Sequence, residues 1–94
     1  MKVLWSAAAL RHLHEIGEYL RDESAQGAMS VRRRILATKR RIVQAPYSGR
    51  IGRVDGTREA VVPRTAYILV YRVSEQAIEI LGIWHGARLW PDAF

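Results

Sequence analysis

Residues 67–84 constrain the fold more than any other stretch of this sequence. Two runs rich in aromatic and β-branched residues, 67–73 and 77–84, flank the polar triplet 74–76, and this pattern predicts a β-hairpin. Apolar residues occupy both alternating faces of the first run as far as Arg72, which is expected of a strand at the centre of a sheet. Residues 67–73 are therefore predicted to form a central strand.

Two amphipathic helices are predicted ahead of the hairpin. The apolar stripe of the first is Leu10, Leu13, Ile16 and Leu20. Ser6 suits the N-cap position, and this helix is expected to end near Asp22.

The apolar seam of the second helix is Ala28, Val31, Ile35, Thr38, Ile42 and Ala45. It is expected to begin near Ser24 and to end near Gln44, before Pro46. The short connection predicts an antiparallel helical hairpin.

The rest of the chain supplies shorter elements. Residues 2–5 predict an edge strand, and residues 46–57, with three glycines and a proline, predict a loop. Residues 58–63 predict a weak strand that suits a sheet edge because Pro63 bounds it. The two aromatic residues of 89–94 are expected to pack back on the body.

The predicted element order is strand, helix, helix, strand, strand, strand. It indicates a small α+β fold, a single domain over residues 1–94, with the helical hairpin packed on one face of a mainly antiparallel curved sheet. The other sheet face is expected to be partly open.

Composition narrows the class of protein. Cysteine is absent, which excludes disulfides and thiolate metal sites. His12 and His14 are two residues apart on a helix and face away from each other, so no metal site and no cofactor are predicted. The first residues are too short a run for a signal peptide, and no apolar run approaches the roughly 20 residues of a membrane span. We therefore expect a cytoplasmic protein with no membrane partner.

The net charge of +6 is concentrated in the middle of the chain. Residues 31–64 hold 10 of the 15 basic residues and 2 of the 9 acidic ones. Six basic residues lie off the seam of the second helix: Arg32, Arg33, Arg34, Lys39, Arg40 and Arg41. This field favours an anionic partner. Without interleaved aromatic residues to stack bases, an acidic protein segment is favoured over direct binding of nucleic acid or the ribosome.

The residue types needed for RNA cleavage are present near the hairpin. Attack of a 2′-hydroxyl on its own phosphate needs an acid, a base and cations that stabilise the phosphorane. His85 and Glu59 offer acid and base groups, and Arg58, Arg72 and Arg88 offer phosphate contacts. Alternatively, His85 is a hydrogen-bonded residue at a strand end, and Arg72 pairs with a carboxylate at the sheet rim. The residues alone leave both alternatives open.

The order and spacing of these elements resemble the RelE/ParE toxin superfamily of bacterial type II toxin–antitoxin modules. The resemblance rests on Trp5 in the first strand, the paired helices, Pro46 with Gly49-Arg50, Arg58-Glu59, residues 67–73, and residues 80–88. It implies a toxin that a cognate antitoxin, ParD-like or similar and encoded beside it, neutralises in a tight complex. Members act either as ribosome-dependent mRNA endonucleases or as ParE-type inhibitors of DNA gyrase.

Three departures from the nuclease pattern favour the ParE-like branch. RelE-like nucleases place an arginine where this chain has Ile68, lysines where it has Glu59 and Val61, and a tyrosine where it has Trp90. The resemblance therefore implies a gyrase inhibitor that acts by binding and is not an enzyme. The alternatives are an mRNA endonuclease and an antitoxin-binding scaffold without target activity. The residues of a nuclease would be Glu59, His85, Arg72 and Arg88.

The resemblance also implies two binding surfaces. The target-binding candidates are Arg50, Arg53, Arg58, Arg72, His85 and Arg88. The antitoxin-binding candidates are Leu10, Leu13, Ile16, Leu20, Val31, Ile35 and Ile42. A C-terminal segment of the antitoxin is expected to lie across the helical hairpin and the sheet, with apolar anchors in the groove and a strand added to a sheet edge.

Overall fold

The computed structural model of the chain describes residues 1–91 and 93–94. Its elements are β1 (Lys2–Trp5), α1 (Ala7–Glu23), α2 (Ala25–Gln44), β2 (Arg50–Ile51), β3 (Arg58–Val61), β4 (Tyr67–Val73) and β5 (Ala77–His85). The sheet order is β1-β5-β4-β3-β2, in which β1 runs parallel to β5 and the other neighbours are antiparallel. The predicted α+β architecture, with β1 at the edge and β4 at the centre, is confirmed.

Serine caps set the helix boundaries that the sequence predicts. The hydroxyl of Ser6 accepts a hydrogen bond from the backbone N–H of Ala9 (3.0 Å), and that of Ser24 accepts one from Gly27 (3.1 Å). Each cap satisfies one of the free N–H groups of a first helical turn. Because Ser24 ends α1 and caps α2, the two helices meet in a tight hairpin. Within the described residues, neither helix is long and apolar enough to cross a membrane.

The main core lies between the helical hairpin and the centre of the sheet. Ile35 and Ile42 of α2 are buried against Leu69, Tyr71 and Ile80 of the two central strands. Each residue of this size contributes about 1.5–3 kcal/mol when fully buried. The apolar seam of α2 is therefore largely used inside the molecule.

The opposite sheet face is covered more fully than the sequence predicts. Ile68 and Val70 alternate onto this face and are both buried. Trp84, the cross-strand partner of Ile68, packs against the C-terminal rings of Trp90 and Phe94, with centroid distances of 6.2 and 5.3 Å. The tail thus packs back on the body as predicted. In doing so it covers the face that was expected to be partly open.

The predicted loop over residues 46–57 is wrong at its centre, where β2 forms. Arg50 pairs with Glu59, and Ile51 pairs with Arg58. β3 was predicted at a sheet edge, but β2 covers its first half and leaves only its second half at the edge. A two-residue strand has no detectable periodicity, so the sequence pattern could not reveal it.

The carboxylate of Glu59 explains why β2 forms. Glu59 is only 3% exposed and accepts hydrogen bonds from Arg50 Nε (3.0 Å), the Arg53 backbone N–H (2.8 Å) and Arg53 Nε (3.2 Å). Burial raises the pKa of this carboxyl, but the hydrogen bonds from Arg53 and Arg50 outweigh burial and lower the pKa overall. A buried carboxylate needs such partners, and the two arginines supply them.

Tyr71 fixes the start of the same loop. Its buried hydroxyl donates to the Pro46 carbonyl (2.8 Å) and accepts from the Gly49 N–H (3.0 Å). A Cβ atom at residue 49 would overlap that hydroxyl, so the close approach requires glycine. The loop is therefore held at its start by Tyr71 and at its centre by Glu59.

We expect Glu59→Gln to destabilise the fold at pH 7 by about 2 kcal/mol, because the buried hydrogen bonds lose their charge. Glu79→Gln is the matched control: Glu79 forms an exposed pair with Arg72 (2.6 Å), and its loss should cost about 0.5 kcal/mol or less. Urea unfolding measures both values. Equal losses in the two variants would contradict the role given to Glu59.

The pH dependence of stability provides a second measurement on the same variants. The pKa of Glu59 is lower in the folded chain than its ordinary value of 4.5, so its stabilising effect is present above pH 4.5. That effect is lost as the pH falls through the lower folded pKa. Glu59→Gln should therefore lose less stability than the parent chain over this acidic range.

Candidate functional site

The structure distributes the predicted target-binding residues over three places. Arg50, Arg53 and Arg58 surround the loop between α2 and β3. Arg72 lies near the turn that joins β4 to β5, and His85 and Arg88 lie at the open end of that hairpin. The strand register sets this separation, because Tyr67 pairs with His85 whereas Arg72 pairs with Glu79.

The four nuclease candidates are not brought together. Glu59 is opposite Val70 on the face away from the helices, whereas His85 is opposite Tyr67 on the helix-facing side. Arg72 is five residues along β4 from Tyr67, which corresponds to about 17 Å. Acid and base groups on opposite faces of one sheet cannot act on the same phosphate.

Four arginines among the predicted target-binding residues already have partners within the chain. Arg72 pairs with Glu79 at the sheet rim, and Arg88 lies over the Trp84 ring with its guanidinium carbon 4.4 Å from the ring centroid. Arg58 donates to the backbone carbonyls of Tyr47 (3.2 Å) and Gly49 (2.9 Å). Arg53 lies 3.7 Å over the Trp90 ring, which links the Glu59 cluster to the tail.

A pocket of about 190 Å³ lies where α1 meets the open end of the β4–β5 hairpin. Its polar lining consists of His12, Glu15, Tyr19, Tyr67, His85 and Arg88. Only His85 and Arg88 of these are among the binding candidates predicted from the sequence. The spacing of His12, Glu15 and Tyr19 places them on one face of α1, and this was the signal that could have revealed them.

The two histidines of this pocket are fixed by backbone groups. The N–H of Ile83 donates to His12 Nδ1 (3.2 Å), and the N–H of Ala87 donates to His85 Nδ1 (3.1 Å). Burial lowers the pKa of His12, with Arg11 and Arg88 acting in the same direction and Glu15 opposing them. In the described part of the chain, no group of three or more histidine or acidic residues could hold a metal ion.

A second concave surface, of about 330 Å³, is the groove between α1 and α2. Leu13 and Ile16 form its apolar wall, and Arg21 and Arg32 lie at its sides. Met29, which is not among the residues predicted from the sequence, also lines the groove and is 60% exposed. This groove could accommodate an apolar side chain flanked by acidic residues.

The remaining antitoxin candidates differ in accessibility. Leu10 is 53% exposed and Val31 is half-buried, whereas Ile35 and Ile42 face the core. Ile35 also lines the groove, but Ile42 packs against the sheet in the core and lies outside the groove. A third pocket, of about 600 Å³, lies between the end of α2 and the open second half of β3.

The chain is similar in sequence to known proteins. The sequence profile of the family described as "ParE toxin of type II toxin-antitoxin system, parDE" matches residues 3–90. The chain is 38% identical over 91 residues to "Putative toxin Y4kP" of Sinorhizobium fredii (strain NBRC 101917 / NGR234), covering 97% of this chain and 94% of that protein.

Two solved structures share the fold. A chain of the chromosomal ParDE TA system from P. aeruginosa superposes with a TM-score of 0.83 at 23% identity, covering 90% of this chain and 95% of that chain. The YoeB/ParE toxin from Agrobacterium tumefaciens superposes with a TM-score of 0.60 at 18% identity, covering 90% and 98%. The family match over residues 3–90 and the 38% identity establish that this chain belongs to the ParE toxin family of type II toxin–antitoxin systems.

Proposed function

We propose that this ParE-family toxin inhibits bacterial growth by binding DNA gyrase, without cleaving RNA, and that a cognate antitoxin neutralises it. The observation that carries the proposal is the covered sheet face at Ile68. RelE-like nucleases have an arginine at this position, whereas here the isoleucine is 7% exposed and paired with Trp84. No cation at residue 68 is available to hold a phosphate.

The neighbouring groups support binding over turnover. Glu59 is held as a low-pKa carboxylate by two arginines, which makes it a poor proton acceptor near neutral pH. Trp90 takes the place of the nuclease tyrosine and lies beneath Arg53. The nuclease alternative would therefore need both the Glu59 cluster and the aromatic tail to rearrange.

The open end of the β4–β5 hairpin is the part of the target surface best supplied with accessible polar groups. His85 and Arg88 are both exposed there, beside the pocket between α1 and the hairpin. Arg50, Arg53, Arg58 and Arg72 also have exposed or partly exposed side chains, and we keep them in the proposed target surface. Their internal contacts give them a structural role as well.

The antitoxin is proposed to bind across the helical hairpin. The groove between α1 and α2 offers apolar anchors and is lined by Arg32, one of the six basic residues that lie off the apolar seam of α2. Among the described residues, no carboxylate lies within salt-bridge distance of these six basic side chains. An acidic segment with apolar anchors would satisfy both features. The second half of β3, where the Val61 carbonyl accepts a hydrogen bond from Arg41 (3.4 Å) and β2 does not reach, offers a position for an added strand.

Purified toxin should inhibit the supercoiling activity of gyrase, and Arg88→Ala should raise the inhibitory concentration about tenfold because one charge-assisted contact is lost. Arg33→Ala is the matched control, since it also removes one exposed positive charge but lies on α2. Unaffected gyrase at a large excess of toxin would exclude this target. Equal effects of the two variants would exclude the proposed target surface.

Met29→Asp should weaken antitoxin binding by about tenfold or more, because a charge replaces an apolar anchor in the groove. Leu89→Asp is the control: Leu89 is 91% exposed and lies outside the groove. Isothermal titration of each toxin variant with the antitoxin measures the affinities. Hydrogen exchange should also show protection within residues 7–44 in the complex, and unchanged exchange there would argue against this placement.

A further inference from the structure

The pocket where α1 meets the open end of the β4–β5 hairpin combines several hydrogen-bond donors in a small volume. His12 and Tyr19 reach it from the helix, and Tyr67 and His85 reach it from paired positions on β4 and β5. The rings of Tyr67 and His85 meet edge to face at 5.7 Å. Ile16 and Ile83 complete the walls, so the donors lie in partly apolar surroundings.

Backbone hydrogen bonds decide which nitrogen of each histidine carries the proton. Nδ1 of His12 and Nδ1 of His85 each accept a backbone N–H, so in the neutral ring the proton is on Nε2. Both histidines therefore offer Nε2–H as a donor. The backbone N–H groups of Ile83 and Ala87 therefore impose the same tautomer on His12 of α1 and His85 of β5.

This tautomer argues against a metal site, although two histidines and Glu15 lie together. A histidine that binds a metal through Nε2 normally donates its Nδ1–H to an acceptor. In His12 and His85, Nδ1 instead accepts a backbone N–H. A metal bound at Nε2 would therefore displace the one N–H proton that each neutral ring carries. The arrangement suits an acceptor group instead.

The remaining polar groups of the pocket also favour an acceptor. Burial raises the pKa of Tyr67, and the proximity of Tyr19 raises it further, so Tyr67 keeps its hydroxyl proton at neutral pH. Within the described residues, neither tyrosine hydroxyl forms a side-chain hydrogen bond of its own. Arg88 adds a positive charge at the pocket, and the exposed Glu15 lies at its rim.

We propose that this pocket binds the carboxylate of an aspartate or glutamate side chain of the target protein. The volume of about 190 Å³ fits one such side chain. Among the described lining residues Arg88 is the only cation, whereas a nucleic-acid backbone is bound by a row of cations. The identity of the protein that supplies the carboxylate rests on the proposed function; the binding of a carboxylate does not.

Nuclear magnetic resonance of the ¹⁵N-histidine-labelled toxin tests the pocket directly, with sodium acetate as the probe. The free toxin should show Nε2–H tautomers for His12 and His85. Acetate should shift the Nε2 signals of both in a saturable manner. His14, which is exposed, lies 3.8 Å from the Glu18 carboxylate and does not line the pocket, serves as the internal reference and should not shift in parallel.

A pair of glutamate variants locates the acetate site. Glu15→Gln removes from the rim a negative charge that repels acetate, so it should strengthen acetate binding about twofold to threefold. Glu18→Gln, one helical turn along α1 and beside His14, should leave it unchanged. An Nδ1–H tautomer at either pocket histidine, or shifts that His14 shares equally, would overturn the proposal.

Parallel titrations with inorganic phosphate and zinc separate the competing ligands. We expect phosphate to bind more weakly than acetate and zinc to leave both Nε2–H signals in place. Tighter phosphate binding would assign the pocket to phosphate groups. Displacement of the Nε2 protons by zinc would identify a metal site, and either result contradicts a carboxylate pocket.

Two variants of His85 connect the pocket to the target. A glutamine at position 85 places its amide N–H near the position of the histidine Nε2, whereas an asparagine places it near the position of the histidine Nδ1. His85→Gln should keep gyrase inhibition within about threefold, and His85→Asn should raise the inhibitory concentration about tenfold. Similar behaviour of the two variants would contradict the role of the pocket in target binding. If even the parent toxin fails to inhibit gyrase, the target is wrong, and the acetate titration still decides the pocket chemistry.

Discussion

The structure of the sheet face away from the helices depends on the hydrogen bonds that the buried carboxylate of Glu59 accepts. An isolated buried charge is strongly unfavourable, so the surrounding chain must supply donors. Arg50 and Arg53 supply them, and the same contacts hold β2 against β3. Arg53 then lies over Trp90 and links the cluster to the aromatic tail. One carboxylate thus connects the loop, the sheet and the C-terminal segment.

This arrangement covers the centre of one sheet face and leaves polar groups accessible elsewhere. The face away from the helices is covered at Ile68 by Trp84 and the rings of the tail. Accessible polar groups instead collect at the open end of the β4–β5 hairpin and along α2. The proposed target and antitoxin surfaces lie at these two places, and Glu59 and His85, the potential acid and base groups, lie on opposite faces of the sheet.

Much of the fold follows from local sequence signals. The caps at Ser6 and Ser24 and the apolar periodicity of α1 and α2 set the helix boundaries, and the β-branched run at 67–73 identifies the central strand. The binding sites were less predictable. Periodicity identifies an apolar stripe but cannot tell residues that face the sheet, such as Ile42, from residues that face a partner. The pairing of His12 with the β5 strand end depends on residues 71 positions apart, beyond any local pattern.

The central claim is that the toxin acts by binding gyrase and does not cleave RNA. The most direct measurement is to induce the toxin in cells without antitoxin and, from the same early samples, determine plasmid linking number and map mRNA 5′ ends. We expect loss of negative supercoiling while mRNA ends stay as in uninduced cells. New mRNA ends within translated codons, with supercoiling unchanged, would contradict it.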